Sequence, residues 1–333
     1  MQDGGLSARR SPYLTVDSLK LMKKTAKVFG TICGILAAVC YGTNPLGALK
    51  LYAEGMATSS VLFYRFGLAW LIIALLMLVR TIPRKGKRRE SLLVSRKEFG
   101  VLSSLGILFI FSSLTLYLSF HVMDAGVAST ILFTYPVITA VIMAVCFHEK
   151  INWVTITSIL LSFVGVALLY WGDGTATLPL GGVVLVLISA LTYAIYIIVV
   201  NRSQLKMSSF KINFYVLFYC ALGMLIYSFI AGQPLTLPHN ATSWFYVCWL
   251  AIVPAIMALT LMVYAAKLVG STTTAILGAL EPLTAVLIGI FVFNESFSVN
   301  LAIGIVLILT AVSLIVLAPT KLMVRKINKT NKQ

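Results

Sequence analysis

One carboxylate lies in the middle of an apolar stretch of the sequence. Residues 275–295 read AILGALEPLTAVLIGIFVFNE, in which Glu281 directly precedes Pro282. An ionisable side chain at the centre of a bilayer costs at least about 2.5–3.5 kcal/mol, so such a residue is a candidate for function. Glu281 could bind a cationic group or exchange a proton. Alternatively, it is a neutral acid that hydrogen-bonds the carbonyl groups freed by Pro282.

Arg65 lies inside a second apolar stretch, residues 57–79. Its long side chain could reach the membrane surface. It could instead face the interior and pair with Glu281 or with the carboxylate of a bound molecule. If both residues face one site, they provide partners for both charges of a zwitterion.

Polar and aromatic residues on other apolar stretches could complete this site. Tyr41 and Asn44 are three residues apart and share a helix face, as do Tyr193 and Tyr196. Prolines inside apolar stretches would kink their helices and could border a cavity, although proline is also tolerated there for packing alone. The candidate binding residues are Glu281, Pro282, Tyr41, Asn44, Arg65, Tyr135, Tyr193 and Tyr196, and the other candidate kinks are Pro45, Pro136 and Pro254.

The composition places these residues in a membrane protein. Hydrophobic residues make up 59% of the 333 residues and charged residues only 11%, against about half and a quarter in soluble proteins. A helix of about 20 apolar residues spans the bilayer, and the sequence contains ten such segments. The five cysteines lie in these segments without metal-ligand spacing, and we interpret them as core residues. The predicted spans are 27–48, 57–79, 99–120, 126–147, 152–171, 179–200, 210–231, 243–265, 271–293 and 298–318.

The basic residues are distributed asymmetrically about these spans. With both termini in the cytoplasm, all 26 Lys and Arg residues except Lys50 and Arg65 lie on the cytoplasmic side or at its edge. This is the positive-inside pattern of membrane proteins. The net charge of +16 therefore indicates orientation and argues against a nucleic-acid partner. We expect a multi-pass protein of the inner (plasma) membrane, with cytoplasmic tails at residues 1–26 and 320–333.

The sequence contains an internal repeat. Residues 135–149 (YPVITAVIMAVCFHE) align with residues 281–295 (EPLTAVLIGIFVFNE) at an offset of 146. A proline then matches a proline, and Glu149 matches Glu295. Both segments therefore end in an acid at the end of a span.

The repeat divides the chain into two halves of five spans, residues 27–171 and 172–319. Because five is odd, the second half enters the membrane from the opposite side. Inverted repeats are typical of transporters with a binding site near the bilayer midplane. We expect an all-α membrane fold, with ten transmembrane helices as two inverted five-helix repeats around a central cavity.

The two halves resemble the EamA-type members of the drug/metabolite transporter superfamily. Each half has a proline-bearing helix, a Glu at its end (HEK at 148–150, NES at 294–296) and a closing apolar helix. The resemblance covers about residues 27–318. It implies that helices 1, 3, 4, 6, 8 and 9 surround the substrate, that 2 and 7 gate it, and that 5 and 10 are peripheral. At Glu149 and Glu295, the acids at the repeat ends, we expect structural capping or gating hydrogen bonds.

Members of this superfamily move amino acids, amines, purines, sugars and drugs, so the resemblance leaves the substrate open. We expect an exporter of small metabolites such as amino acids or amines, working as a monomer or homodimer. The alternatives are a nucleotide-sugar or sugar carrier and a non-transporting sensor or lipid-handling protein. The sequence has no P-loop, HExxH, GxSxG or Cys/His metal pattern, so we predict no enzymatic activity, cofactor or metal. Protons are the candidate coupling ion.

Overall fold

The structure is a computed structural model that describes residues 16–81, 93–148, 153–171, 179–203, 205, 207–270, 274 and 277–330. Within these residues the chain is helical and contains no β-strand. Eight of the described helical segments are long and apolar enough to cross a membrane, and two further apolar helices are shorter. The prediction of an all-helical protein with ten apolar spans is confirmed.

Three spans consist of more than one helical segment. The first contains α1 and α2, the fourth contains α5 and α6, and the eighth contains α10, a π-helical segment and α11. The helices are α1 (Val16–Gly42), α2 (Asn44–Ala53), α3 (Thr58–Thr81), α4 (Arg96–Ser119), α5 (Ala125–Leu132), α6 (Tyr135–Phe147), α7 (Trp153–Trp171), α8 (Leu180–Arg202), α9 (Ser209–Ile230), α10 (Ala241–Leu250), α11 (Ala258–Val269), α12 (Leu280–Phe293) and α13 (Val299–Thr330).

The first span is interrupted at Thr43, between α1 and α2, and Pro45 is the second residue of α2. Proline has no N–H to donate to the carbonyl four residues earlier, so the helix cannot continue through it unchanged. That carbonyl belongs to Tyr41, and it accepts a hydrogen bond from Nδ2 of Asn44 at 2.8 Å. The Asn44 side chain therefore replaces the hydrogen bond that Pro45 removes, which satisfies the free carbonyl inside the membrane.

The other intramembrane prolines also lie at irregular backbone. Pro136 is the second residue of α6 and follows the turn that separates α5 from α6. Pro254 lies in the π-helical segment Ala251–Met257, and a π-helix is hydrogen-bonded over five residues instead of four. Pro282 is the third residue of α12 and follows a turn. Four spans thus contain irregular backbone, which within a membrane must be buried in protein or border water.

The contacts between helices are symmetric with respect to the two halves. Three pairs join equivalent helices of the halves: α3 packs against α9, α5 against α12, and α7 against α13. Two further pairs are equivalent to each other. In one pair, α1 of the first half packs against α11 of the second half; in the other, α8 of the second half packs against α4 of the first half. This pattern has two-fold symmetry, as expected for two copies of one five-span unit.

The outer faces of the helices carry large exposed apolar side chains, such as Leu75, Phe163 and Phe229. In a soluble monomer, apolar patches of this extent are rare. In a bilayer they face the acyl chains, so these side chains mark the lipid-facing surface. The molecule is a multi-pass membrane protein.

Candidate functional site

Glu281 lies in the first turn of α12 and is half-buried among helices from both halves of the chain. It interacts electrostatically with the hydroxyl-bearing side chains of Tyr41, Tyr135 and Tyr193. These tyrosines come from α1, α6 and α8. The structure therefore brings three of the candidate tyrosines close to the acid, inside the protein and not towards the lipid.

The Glu281 carboxylate has no hydrogen-bond or ion-pair partner among the residues that the structure describes. The carbonyl freed by Pro282 belongs to Gly278, and it accepts a hydrogen bond from the backbone N–H of Glu281 at 2.9 Å. A Glu281 side chain bound to this carbonyl, the simplest structural interpretation of the sequence, is thus not what the structure shows. The carboxylate is available for another partner.

Gly42 holds the end of α1 against this acid. A Cβ atom at position 42 would lie 2.6 Å from the carbonyl oxygen of Glu281 and 2.5 Å from Cβ of Thr284. Only glycine permits the two helices to approach this closely. As a result Tyr41, the residue before Gly42, is kept next to the first turn of α12.

Aromatic rings from three helices form one side of the site. The centroids of Tyr135 and Tyr193 are 4.8 Å apart in an edge-to-face arrangement. Tyr193 and Tyr196 are stacked at 5.8 Å with their planes 7° apart, and Phe109 of α4 lies 5.4 Å from Tyr196. Such geometries are favourable for aromatic pairs. Of these tyrosines, Tyr135 and Tyr193 also lie close enough to Glu281 to interact with it.

Arg65 faces the protein interior, and only 7% of its surface is exposed. Its Nη1 donates a hydrogen bond to the hydroxyl of Tyr117. That hydroxyl in turn donates to Oδ1 of Asn44 at 3.3 Å, and Tyr41 interacts electrostatically with both Arg65 and Glu281. Arg65 therefore faces the interior of the protein and does not reach the membrane surface. It forms no ion pair with Glu281 in the described structure.

A polar cluster near the ends of α2 and α4 was not found by sequence reasoning. The rings of Tyr52 and His121 stack at 4.0 Å, and Nε2 of His121 lies 2.9 Å from Oγ1 of Thr58. The Tyr52 hydroxyl donates to the carbonyl of Tyr117 at 3.1 Å. Burial lowers the pKa of His121 below its ordinary value. Nothing in the local sequence indicates this cluster, because His121 lies 63 residues from Thr58 along the chain.

Glu295 joins the two halves at the end of the molecule that also carries the loop after α2 and the turn after α4. Its carboxylate accepts hydrogen bonds from the backbone N–H groups of Ala125, at 2.9 Å, and Gly126, at 3.2 Å. These are the first N–H groups of α5, so a residue of the second half caps a helix of the first. The carboxylate also rests on Gly289, where a Cβ atom would overlap it.

Burial is the main reason why the pKa of Glu295 is raised, and the neighbouring Asp124 adds to it, whereas the two backbone N–H groups lower it.

Two further contacts join the halves at this same end. Ser243 donates to Glu54, and the Thr236 N–H donates to Oγ of Ser60 at 3.0 Å. The equivalent acid of the first half, Glu149, lies outside the described residues.

Comparisons with known proteins define the class to which this fold and site belong. The model of the EamA-like transporter family matches residues 28–171 and, a second time, residues 180–317. The chain therefore belongs to this family, within the drug/metabolite transporter superfamily, and is a transporter. The second match begins close to the start of α8, in agreement with the internal repeat.

Individual relatives are similar over different shares of the chain. An uncharacterized transporter of Clostridium kluyveri is 24% identical over 84% of this chain and 90% of its own length. One of Archaeoglobus fulgidus is 27% identical over 57% of this chain and 66% of its own length, and the uncharacterized transporter YdfC of Bacillus subtilis is 21% identical over 58% and 63%. A crystal structure that covers 88% of this chain is 16% identical with a TM-score of 0.61, which shows the fold alone.

Proposed function

We propose that this protein is a secondary-active or facilitative transporter that exports small metabolites, such as amino acids or amines, across the inner membrane. Residues 27–171 and 172–319 act as two inverted repeats that rock about the site by alternating access. Both termini are cytoplasmic, so that the Glu295 end of the molecule faces outward. The protein works as a monomer or homodimer.

The observation that carries this proposal is the position of Glu281. An acid inside a membrane span, surrounded by tyrosines from three helices and without a partner among the described residues, suits a positively charged group. Amines and amino acids both have an ammonium group. The tyrosine rings support the same conclusion because aromatic faces attract cations. Glu281 is also the candidate for exchanging a proton with the substrate during transport.

The orientation rests on the distribution of charge. The basic residues lie on the side of the termini, where the positive-inside rule expects the cytoplasm. The three contacts between the halves at the Glu295 end support a gate there, because alternating access requires each end to close in turn. Glu295, Glu54 and Ser60 are the residues that would release when this end opens.

Transport by purified protein in proteoliposomes tests the function. Radiolabelled amino acids and amines are screened for flux by wild type, by Glu281→Gln and by Glu98→Gln. Glu98 is a partly exposed acid in a capping box at the start of α4, and Gln is also accepted in that box, so this variant controls for the loss of one carboxylate. We expect wild type and Glu98→Gln to transport and Glu281→Gln to lose most of the flux. Equal flux in all three proteins, with the same response to pH, would exclude the role of Glu281.

A further inference from the structure

The charge of Arg65 is not neutralised by any residue that the structure describes. Arg65 lies on α3, seven residues from its first residue, which places it about 10 Å along the helix from that end. At this depth a cation is costly unless a partner compensates it. With 7% of its surface exposed, Arg65 cannot place its charge in water.

Among the described residues, the guanidinium contacts only neutral groups. Nη1 donates to the Tyr117 hydroxyl, and the central carbon Cζ lies 5.5 Å and 5.3 Å from the ring centroids of Phe66 and Tyr117. Asn44 holds the Tyr117 hydroxyl from the other side. These contacts fix the position of the guanidinium but supply no negative charge.

One donor of this guanidinium has no acceptor. Nε of Arg65 is buried and makes no hydrogen bond in the part of the chain that the structure describes. Leaving a buried donor without an acceptor is unfavourable, and more so when the donor is charged. No described carboxylate forms an ion pair with Arg65. Its environment is therefore complete only when an anion enters it.

We infer that Arg65 binds the carboxylate of the transported molecule and thereby selects amino acids over the corresponding amines. The guanidinium fork matches a carboxylate in shape and can donate two parallel hydrogen bonds to it. Asn44 links the two regions: its Oδ1 accepts a hydrogen bond from the Tyr117 hydroxyl that Arg65 binds, and its Nδ2 donates to the carbonyl of Tyr41. Gly42, the next residue, lies against the backbone of Glu281. A molecule held there by its ammonium group at Glu281 places its carboxylate towards Arg65.

This inference rests on the proposed transport function and narrows its substrate class. An amine without a carboxylate would satisfy Glu281 and leave Arg65 unpaired. An amino acid satisfies both. Tyr117 is in this scheme a positioning residue, because it holds the guanidinium and does not itself have to touch the substrate.

The test compares each proteinogenic amino acid with its decarboxylated amine in proteoliposome flux. Wild type, Arg65→Gln, Arg65→Lys and Tyr117→Phe are compared, with Arg202→Gln as a control that removes an exposed arginine. We expect the flux of an amino acid through wild type to exceed that of its amine by about tenfold or more. This ratio corresponds to the contribution of one hydrogen bond to a charged group. Arg65→Gln should lose this preference while amine flux remains, and Arg65→Lys should retain only part of it.

Tyr117→Phe keeps the ring and removes only the hydroxyl, so it preserves packing if Arg65→Gln fails to fold. It should raise KM for the amino acid with little change in kcat and leave KM for the amine unchanged. Wild-type selectivity in folded Arg65→Gln, or wild-type KM values in Tyr117→Phe, overturn the inference. So does a wild-type protein that moves amines and rejects amino acids, although the transport function then stands. Flux of neither class by wild type refutes the proposed export of amino acids and amines.

Discussion

Replacing Glu295 with alanine should open the end of the molecule at which this residue joins the two halves. The variant removes both acceptors of the Ala125 and Gly126 N–H groups. Loss of a helix cap costs about 0.5–2 kcal/mol, and Glu295 is only partly buried, so water can replace some of the lost bonding. We therefore expect the closed state to be destabilised by about 1–2 kcal/mol. This corresponds to a roughly 5- to 30-fold rise in the population of the open state.

Labelling of a cysteine beneath this cap measures that population. Ala128 lies on α5 and is fully buried, so the Ala128→Cys thiol should react with a membrane-impermeant reagent only when α5 and α12 separate. Labelling should be roughly 5- to 30-fold faster with Glu295→Ala than without it, in proportion to the open population. Asp124→Asn is the matched control, because Asp124 makes no capping hydrogen bond. An unchanged rate in Glu295→Ala, or an equal rise in Asp124→Asn, would refute the cap as a gate.

The same assay has a predicted pH dependence. Because the pKa of Glu295 is raised above 4.5 in the closed state, that state binds a proton more tightly than an open state in which the acid is solvated. Protonation therefore favours closure, and this contribution is lost as the pH rises through the raised pKa. Labelling of Ala128→Cys should slow down as the pH falls from 7 towards about 4.5, the usual region for a carboxylate. Glu295→Gln cannot titrate at this position, so its labelling rate should change with pH only through the intrinsic pH dependence of the thiol reaction. This variant is therefore the reference for the assay.

Three further variants test other parts of the structure. Gly42→Ala inserts a Cβ atom 2.6 Å from the Glu281 carbonyl oxygen. We expect this variant to lose about 1–3 kcal/mol of stability and to show reduced flux. Unchanged thermal stability would contradict the close approach of the two helices. Asn44→Leu leaves the Tyr41 carbonyl unpaired and should destabilise the protein by about 1–3 kcal/mol, whereas Asn44→Gln should recover part of this if its amide reaches the carbonyl. Because the pKa of His121 is lowered, the native state favours the neutral imidazole. The thermal stability of wild type should therefore fall as the pH drops below 6.5, and that of His121→Gln should fall less.

The spans and the interior position of Glu281 could be predicted because each depends on local sequence. Apolar length identifies a span, and the acid beside Pro282 is too costly to face lipid. The spacing of Tyr193 and Tyr196 placed them on one face, where the structure shows their rings stacked. These inferences need no knowledge of how the helices are rotated against one another.

The contacts of Arg65 could not be predicted in the same way. Tyr117 and Asn44 meet it from different helices, and their contact depends on the rotation of α3, α4 and α2. Rotation is set by packing, including the approach at Gly42, which the sequence does not display. The cluster of Tyr52, Thr58 and His121 escaped for the same reason.

The central claim is that Glu281 meets the transported molecule inside the membrane. The most direct test is the reactivity of the Glu281 carboxylate itself towards a carbodiimide in the wild-type protein, with Glu281→Gln as the control that cannot react. We predict that Glu281 is modified and that the amino acid identified by the flux screen protects it. A carboxylate that does not react, or one whose reaction rate is the same with and without that amino acid, would contradict the account.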